Sequence, residues 1–285
     1  MDEPLPIDSD AVIACIVGAR PNFVKIAPVM AALAESPGIR ATLIHTGQHY
    51  DQRMSDVFFE QLGIPQPDVS LGVGSGTHGE QTAGVLRKYE AWLLEQPRLP
   101  AATLVVGDVN STVACALASV KLGVPVAHLE AGLRSFDRTM PEEINRVVTD
   151  AVSELLLVSE PSGVQNLLAE GRPESAIKLV GNIMIDSLFS HLDQAGELKQ
   201  PEKLGLSPDG YILWTMHRPS NVDDPAMLSA WTQALILASR SLPVLFPVHP
   251  RTRARLQAAE LFEKLENAEN VTLTEPLGYL EFLGL

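Results

Sequence analysis

Short aliphatic, β-branched runs alternate along this chain with longer segments of helical periodicity, and few folds accommodate that alternation. The runs are AVIACIV (11–17), ATLIHT (41–46), ATLVVG (102–107), VPVAHLE (124–130), ELLLVS (154–159) and AIKLVG (176–181). Each is largely apolar, the mark of a strand covered on both faces. Between them, Asn22–Ser36, Glu80–Glu95 and Ser111–Leu122 repeat apolar residues at helical spacing. A strand–helix–strand rhythm of this kind predicts a doubly wound α/β sheet with helices on both faces. Ligands of such sheets gather at the carboxyl ends of the strands.

The rhythm breaks at DQAGELKQPEKLGLSPDG (193–210), a polar stretch with prolines that reads as a linker or domain boundary. It restarts with YILWTM (211–216), LPVLFPV (242–248) and NVTLTE (270–275). The expectation is therefore α/β with two Rossmann-like domains, an N-terminal one over 11–192 and a partial C-terminal one over 193–285. The second is read as incomplete because such sheets commonly hold about five or six strands.

Charge narrows the partners. A formal net charge of -14 argues against nucleic acid and against an anionic membrane surface, both of which require a basic face. A small anion is still within reach of an acidic protein if a few basic groups and backbone N–H groups converge. Cys15 and Cys115 each lie in an apolar run and read as buried free thiols; no zinc-ligand spacing is present. The acidic start MDEPLPIDSD has no signal-peptide core, and no apolar stretch approaches the roughly 20 residues of a membrane helix. The reading is a cytoplasmic protein without a bound metal.

The unusual polar clusters fall just after the predicted strands. GARPNFVKIAP (18–28) follows the first strand, with Pro21 suited to a helix start and Arg20 and Lys25 close by. It serves equally as a diphosphate or carboxylate cradle or as a capped helix with solvated basic residues. It is not a dinucleotide fingerprint. TGQHYDQRMSD (46–56) offers Gln48, His49 and Arg53, which read more simply as solvated loop residues than as ligand donors. GDVNST (107–112) places Asp108 after a strand, with Asn110 or Ser111 as a helix cap.

HLEAGLRSFDRTMPEEINR (128–146) is the most informative cluster. Glu130 ends an apolar strand, where an unpaired carboxylate would be costly, so function or an Arg partner such as Arg134 must account for it. Glu142 and Glu143 follow Pro141 at a helix start, where the dipole favours acids, and Glu142 is spaced to pair with Arg146. Asp108, Glu130 and Glu142 thus follow neighbouring strands. Carboxylates gathered on one cavity suit proton transfer or a developing cation, and are ill suited to hydride transfer. In the second half, His217 and Arg218 of TMHRPSN and His249 of PVHPRTR close successive strands.

Taken in order, GARPNFVKIAP, TGQHYDQ, GDVNST, HLEAGLRS, MPEEINR, GNIMIDSL, TMHRPSN and PVHPRTR resemble the non-hydrolysing UDP-N-acetylglucosamine 2-epimerase family. The resemblance runs over residues 11–280, and HLEAGLR followed by PEEINR is its most specific part. It implies a fold of glycosyltransferase-B type and reversible epimerisation of UDP-N-acetylglucosamine to UDP-N-acetylmannosamine. The implied route expels UDP to leave 2-acetamidoglucal, then re-adds it, with no cofactor. The resemblance further implies catalytic roles for Asp108, Glu130, Glu142 and His217. Substrate-binding roles fall to Arg20, Lys25, Arg218 and His249, and Gln48 and His49 match the region of a regulatory site. It also implies a homodimer.

Asn22 stands where many members carry Glu, and Pro219 where a basic residue is frequent. The family's later serine-glycine-glycine-glutamate segment does not occur in this sequence, so the expectation is weak UDP binding and poor turnover. The alternatives are a hydrolysing epimerase that releases N-acetylmannosamine and UDP, a retaining glycosyltransferase of similar fold, or an inactive UDP-sugar-binding fragment.

Overall fold

The computed structural model describes residues 11–47 and 63–285. The chain divides into two compact units, one up to Ser190 and one from His191 to Leu285.

In the first unit β1 (Ala11–Val17), β2 (Ile39–His45), β3 (Val69–Ser70), β4 (Ala102–Val106), β5 (Val126–Ala131), β6 (Leu155–Val158) and β7 (Ile177–Leu179) form one parallel sheet. Its order is β3-β2-β1-β4-β5-β6-β7. β3 is an addition to the strands read from the sequence. At two residues, pairing Ile44 with Val69 and His45 with Ser70, it is too short to leave a periodic signature. The direction of winding reverses between β1 and β4, which opens a crevice at their carboxyl ends.

The helices of this unit are α1 (Arg20–Ala34), α2 (His78–Glu95), α3 (Asn110–Lys121), α4 (Pro141–Val152) and α5 (Pro161–Ala169). α2 begins two residues before the predicted Glu80, because Thr77 and Glu80 form a capping box: the Glu80 N–H donates to Thr77 Oγ1 at 3.3 Å and Thr77 N–H to Glu80 Oε2 at 2.9 Å. Val85, Tyr89 and Leu93 of α2 pack with Ala114 and Ala118 of α3 against Ile16, Ile44 and Val105 of the sheet. The polar atoms in this core are satisfied: Tyr89 Oη and Ser119 Oγ each sit 2.8 Å from Thr103 Oγ1. Cys15 and Cys115 are buried free thiols, and burial pushes the Cys15 thiol up to about 12, where it is inert at neutral pH.

The stretch read as a linker or domain boundary is partly helical. Helix α6 (Ile183–Glu197) runs into it, and a short turn at Gln200–Lys203 follows. Pro201 occupies the first turn of that short helix, where no N–H is needed, and both Pro201 and Leu206 are buried. The second unit holds β8 (Ile212–Leu213), β9 (Val244–Pro247) and β10 (Val271–Thr274) as a parallel sheet in the order β10-β9-β8. Leu228 and Leu235 of helix α7 (Pro225–Ala238) and Leu256 of α8 (Pro250–Ala258) bury against Val244 and Phe246. Both units are thus Rossmann-like α/β layers, the components expected from the sequence. Among the described residues, no helix is long and apolar enough to cross a membrane.

Candidate active site

In the first unit, Arg20, Lys25, Asp108 and Glu130 lie at or just beyond the carboxyl ends of β1, β4 and β5. After β1 the chain turns at Gly18 directly into α1. A Cβ on Gly18 would lie 2.3 Å from Ser111 Oγ and 2.8 Å from Thr46 Oγ1, so only glycine lets the loop pass this hydroxyl pair. Asn22, in the first turn of α1, accepts from the Ala19 N–H at 3.0 Å and donates from Nδ2 to the Val106 carbonyl at 3.0 Å. A Glu at this position could accept but could not make the second bond. The Asn22 side chain therefore ties the β1 turn to the end of β4.

Glu130 is the bulged residue of β5: the register with β6 shifts between Leu129 and Ala131, and Glu130 adopts φ 70. A non-glycine residue in the left-handed region is strained, and strain of this kind collects where a side chain has to be aimed. Its carboxylate pairs with Lys25, the two side chains being 14% and 12% exposed. The sequence suggested Arg134 as the partner, and this is corrected by the fold. Arg134 instead reaches Asp150 at 2.7 Å and Glu170 at 2.6 Å, because the turn at Gly132 sends it towards α5. Gly107 approaches the pair closely: a Cβ there would meet Glu130 Oε2 at 3.4 Å and Lys25 Nζ at 3.5 Å, and its φ is +68.

Asp108, the next residue, pairs with Arg146. The anticipated Glu142–Arg146 pair is not made. The guanidinium turns to Asp108 and, at 3.3 Å, to Glu143, its neighbour one helical turn back. Glu142 is partly buried and has no hydrogen-bond or ion-pair partner among the described residues. The three carboxylates therefore differ: Asp108 and Glu130 are each held by a cation, and Glu142 has no such partner among the described residues. They are linked through the backbone, since Asn145, on α4 with Glu142, donates to the Asp108 carbonyl at 2.9 Å.

Glu143 has a structural task. It is buried and accepts from Ser135 N–H at 2.9 Å, Ser135 Oγ at 3.1 Å and Phe136 N–H at 3.1 Å, which closes the loop between β5 and α4. Burial acts to raise its pKa, but these hydrogen bonds and Arg146 outweigh it and hold the carboxyl below the usual range. Asn110 and Ser111 do not cap α3, whose cap is Val109; Asn110 donates instead to Gln81 Oε1 at 2.9 Å.

A depressed carboxyl stabilises the folded chain only above the unfolded value of about 4, and that contribution is lost as pH falls through the folded value. Melting followed by circular dichroism should therefore show a level midpoint down to about pH 5 and a steep decline below about pH 4. For Glu143→Gln that acid slope should be shallower.

In the second unit, His217 and His249 follow β8 and β9 and are exposed, their ring centroids 6.0 Å apart. His249 Nδ1 accepts from the Arg251 N–H at 3.2 Å and so caps α8, which leaves Nε2 to carry the ring proton. Arg218 is exposed at the start of a short helix, Pro219–Val222. Arg251 and Arg255 are both taken up by Asp223, and Arg253 by Glu275. Arg20 opens α1. Gln48, His49 and Arg53 lie outside the described residues.

Residues 31–285 match the family model described as UDP-N-acetylglucosamine 2-epimerase. The chain is 46% identical over 275 residues to the UDP-N-acetylglucosamine 2-epimerase homolog of Methanococcus maripaludis, covering 96% of this chain and 75% of that protein. The chain belongs to the UDP-N-acetylglucosamine 2-epimerase family. It is also 44% identical over 274 residues to the UDP-2,3-diacetamido-2,3-dideoxy-D-glucuronate 2-epimerase of Pseudomonas aeruginosa, covering 95% of this chain and 74% of that protein. The solved structure of the Methanocaldococcus jannaschii UDP-GlcNAc 2-epimerase in complex with UDP-GlcNAc and UDP superposes with a TM-score of 0.80 at 41% identity, over 95% of this chain and 75% of that one.

Within this epimerase scaffold several polar residues were not singled out from the sequence: Asn145, which braces Asp108, and the buried pair His128 and Asp150. His128 was hidden in an apolar strand and Asp150 in the last turn of α4. A polar residue on an otherwise buried face was the available signal.

Proposed function

We propose that the chain inverts carbon 2 of UDP-N-acetylglucosamine, or of a closely related UDP-2-acetamido sugar, by eliminating and re-adding UDP. One carboxylate removes the carbon 2 proton while the carbon 1–oxygen bond breaks. The C–H electrons become the double bond of 2-acetamidoglucal, and the bond to UDP leaves with the diphosphate. A second acid delivers a proton to the opposite face of carbon 2, and the diphosphate oxygen returns to carbon 1. Atoms and charge balance without a redox step.

The observation that carries this reading is the set of three acids on neighbouring elements: Asp108 and Glu130 at the ends of β4 and β5, each paired with a cation, and Glu142 in the first turn of α4, without one among the described residues. Carbon 2 has no neighbouring carbonyl to acidify it, so cationic character at carbon 1 has to do so, and carboxylates stabilise such a centre. Arg20, Lys25, Arg218 and His249 are assigned to substrate binding and His217 to the departing diphosphate, whose growing charge it would offset. We assign the chain to the cytoplasm, as a homodimer.

The Pseudomonas relative is named for a 2-epimerase acting on a 2,3-diacetamido glucuronate, which makes that sugar the second substrate to try. Purified chain, in deuterated water with each UDP sugar in turn, is expected to incorporate deuterium at carbon 2 with both epimers present at equilibrium. Proton NMR reads this directly. Free 2-acetamido sugar plus UDP as the products would mean hydrolysis instead, and no exchange with either sugar would remove the assignment.

A further inference from the structure

One buried pair touches all three segments that carry the acids. His128 is wholly buried, with Nε2 2.8 Å from the Gly107 carbonyl oxygen and Nδ1 2.6 Å from Asp150 Oδ1. Asp150 Oδ2 accepts from the Gly132 N–H at 3.0 Å and lies 2.7 Å from the Arg134 guanidinium. Gly107 immediately precedes Asp108, and Gly132 follows Glu130 by two residues. Asp150 sits on α4, whose first turn holds Glu142.

A donor count sets the state of the ring. The Gly107 carbonyl only accepts, so Nε2 carries a hydrogen. Asp150 is ionised: burial alone would favour its protonated form, but the contacts with His128 and Arg134 reverse this and hold its pKa low. Nδ1 therefore faces an acceptor as well.

We infer that His128, protonated on both ring nitrogens, and Asp150 are positioning residues that hold the ends of β4 and β5, and so aim Asp108 and Glu130. The end of β5 needs such an anchor: Glu130 has φ 70, and a non-glycine residue persists in the left-handed region only where its surroundings restrain it. The kinetic consequence rests on the epimerase reading; the hydrogen-bonding state of His128 does not.

The test uses the whole chain, labelled with nitrogen-15. At neutral pH the His128 ring is expected to show two protonated nitrogens in the wild type and one in Asp150→Asn. In that variant kcat should fall about a hundredfold, the cost of misplacing a catalytic group by about 1 Å, with KM little changed. Glu170→Gln, which removes the outer partner of Arg134, should keep wild-type kcat. A neutral ring in the wild type, or wild-type kcat in Asp150→Asn, overturns the inference. Should Asp150→Asn not fold, the wild-type ring spectrum decides. A wild-type chain that exchanges no deuterium with either sugar sinks the epimerase reading, and the ring spectrum then decides this inference by itself.

Discussion

Glu130→Gln is expected to reduce turnover by about 10²- to 10⁴-fold, the range that a positioned acid or base supplies. Glutamine keeps the shape and still accepts a hydrogen bond from Lys25, so the loop should hold, but it neither takes up a proton nor balances a developing positive charge. The residue is partly buried beside a single cation, and the substitution leaves Lys25 uncompensated. Some loss of stability should accompany it, measurable by thermal melting and separate from the kinetic effect. Lys25→Met tests the pair from the other side. It leaves the carboxylate without its cation near the apolar end of β5, and both turnover and the melting temperature should fall. Near-wild-type turnover by Glu130→Gln, with the fold intact by near-ultraviolet circular dichroism, would remove Glu130 from the chemistry.

Gly132→Ala is expected to destabilise the first unit by about 2–5 kcal/mol, combining a left-handed non-glycine residue with overpacking. Gly132 has φ +81, and a Cβ there would lie 2.5 Å from the Gly163 carbonyl oxygen and 2.9 Å from Gly163 Cα. The obstacle is backbone in the first turn of α5, which has no flexible end to swing aside. Gly181→Ala provides the comparison: its φ is +86, but nothing lies within 4 Å of the added Cβ, so only the backbone cost of about 1–2 kcal/mol applies. Denaturant melts of the two variants separate the terms. Equal losses would show that the contact with Gly163 is soft. Because Gly132 also donates its N–H to Asp150, the variant should lose activity along with stability.

Much of the architecture was open to reading before any coordinates. The apolar runs at 11–17, 102–107 and 154–159 are strands because a buried parallel strand needs apolar residues on both faces. Asp108 after the second of those runs, Glu130 in β5, and His217 and His249 after β8 and β9 stand at strand ends for the same reason. What misled was local plausibility. Glu142 and Arg146 have the spacing of a helical pair, and Arg134 is the arginine nearest Glu130, yet neither pairing is made. The stretch 193–210, read as a linker or domain boundary, begins close to the division between the units after Ser190, but Pro201 and Leu206 are buried within it.

The alternation of the main strands and helices and the position of Asp108 and Glu130 at strand ends were determined by the sequence alone, because hydrogen bonding along the backbone imposes a repeat that side-chain polarity has to follow. The partners of those acids were decided only by the tertiary structure. Lys25 and Glu130 are 105 residues apart and Asp108 and Arg146 are 38 apart. Which cation meets which carboxylate depends on strand order, on the bulge at Glu130 and on how each helix returns across the sheet. A short-range ionic contact is chosen by distance in space, and sequence separation carries no record of it.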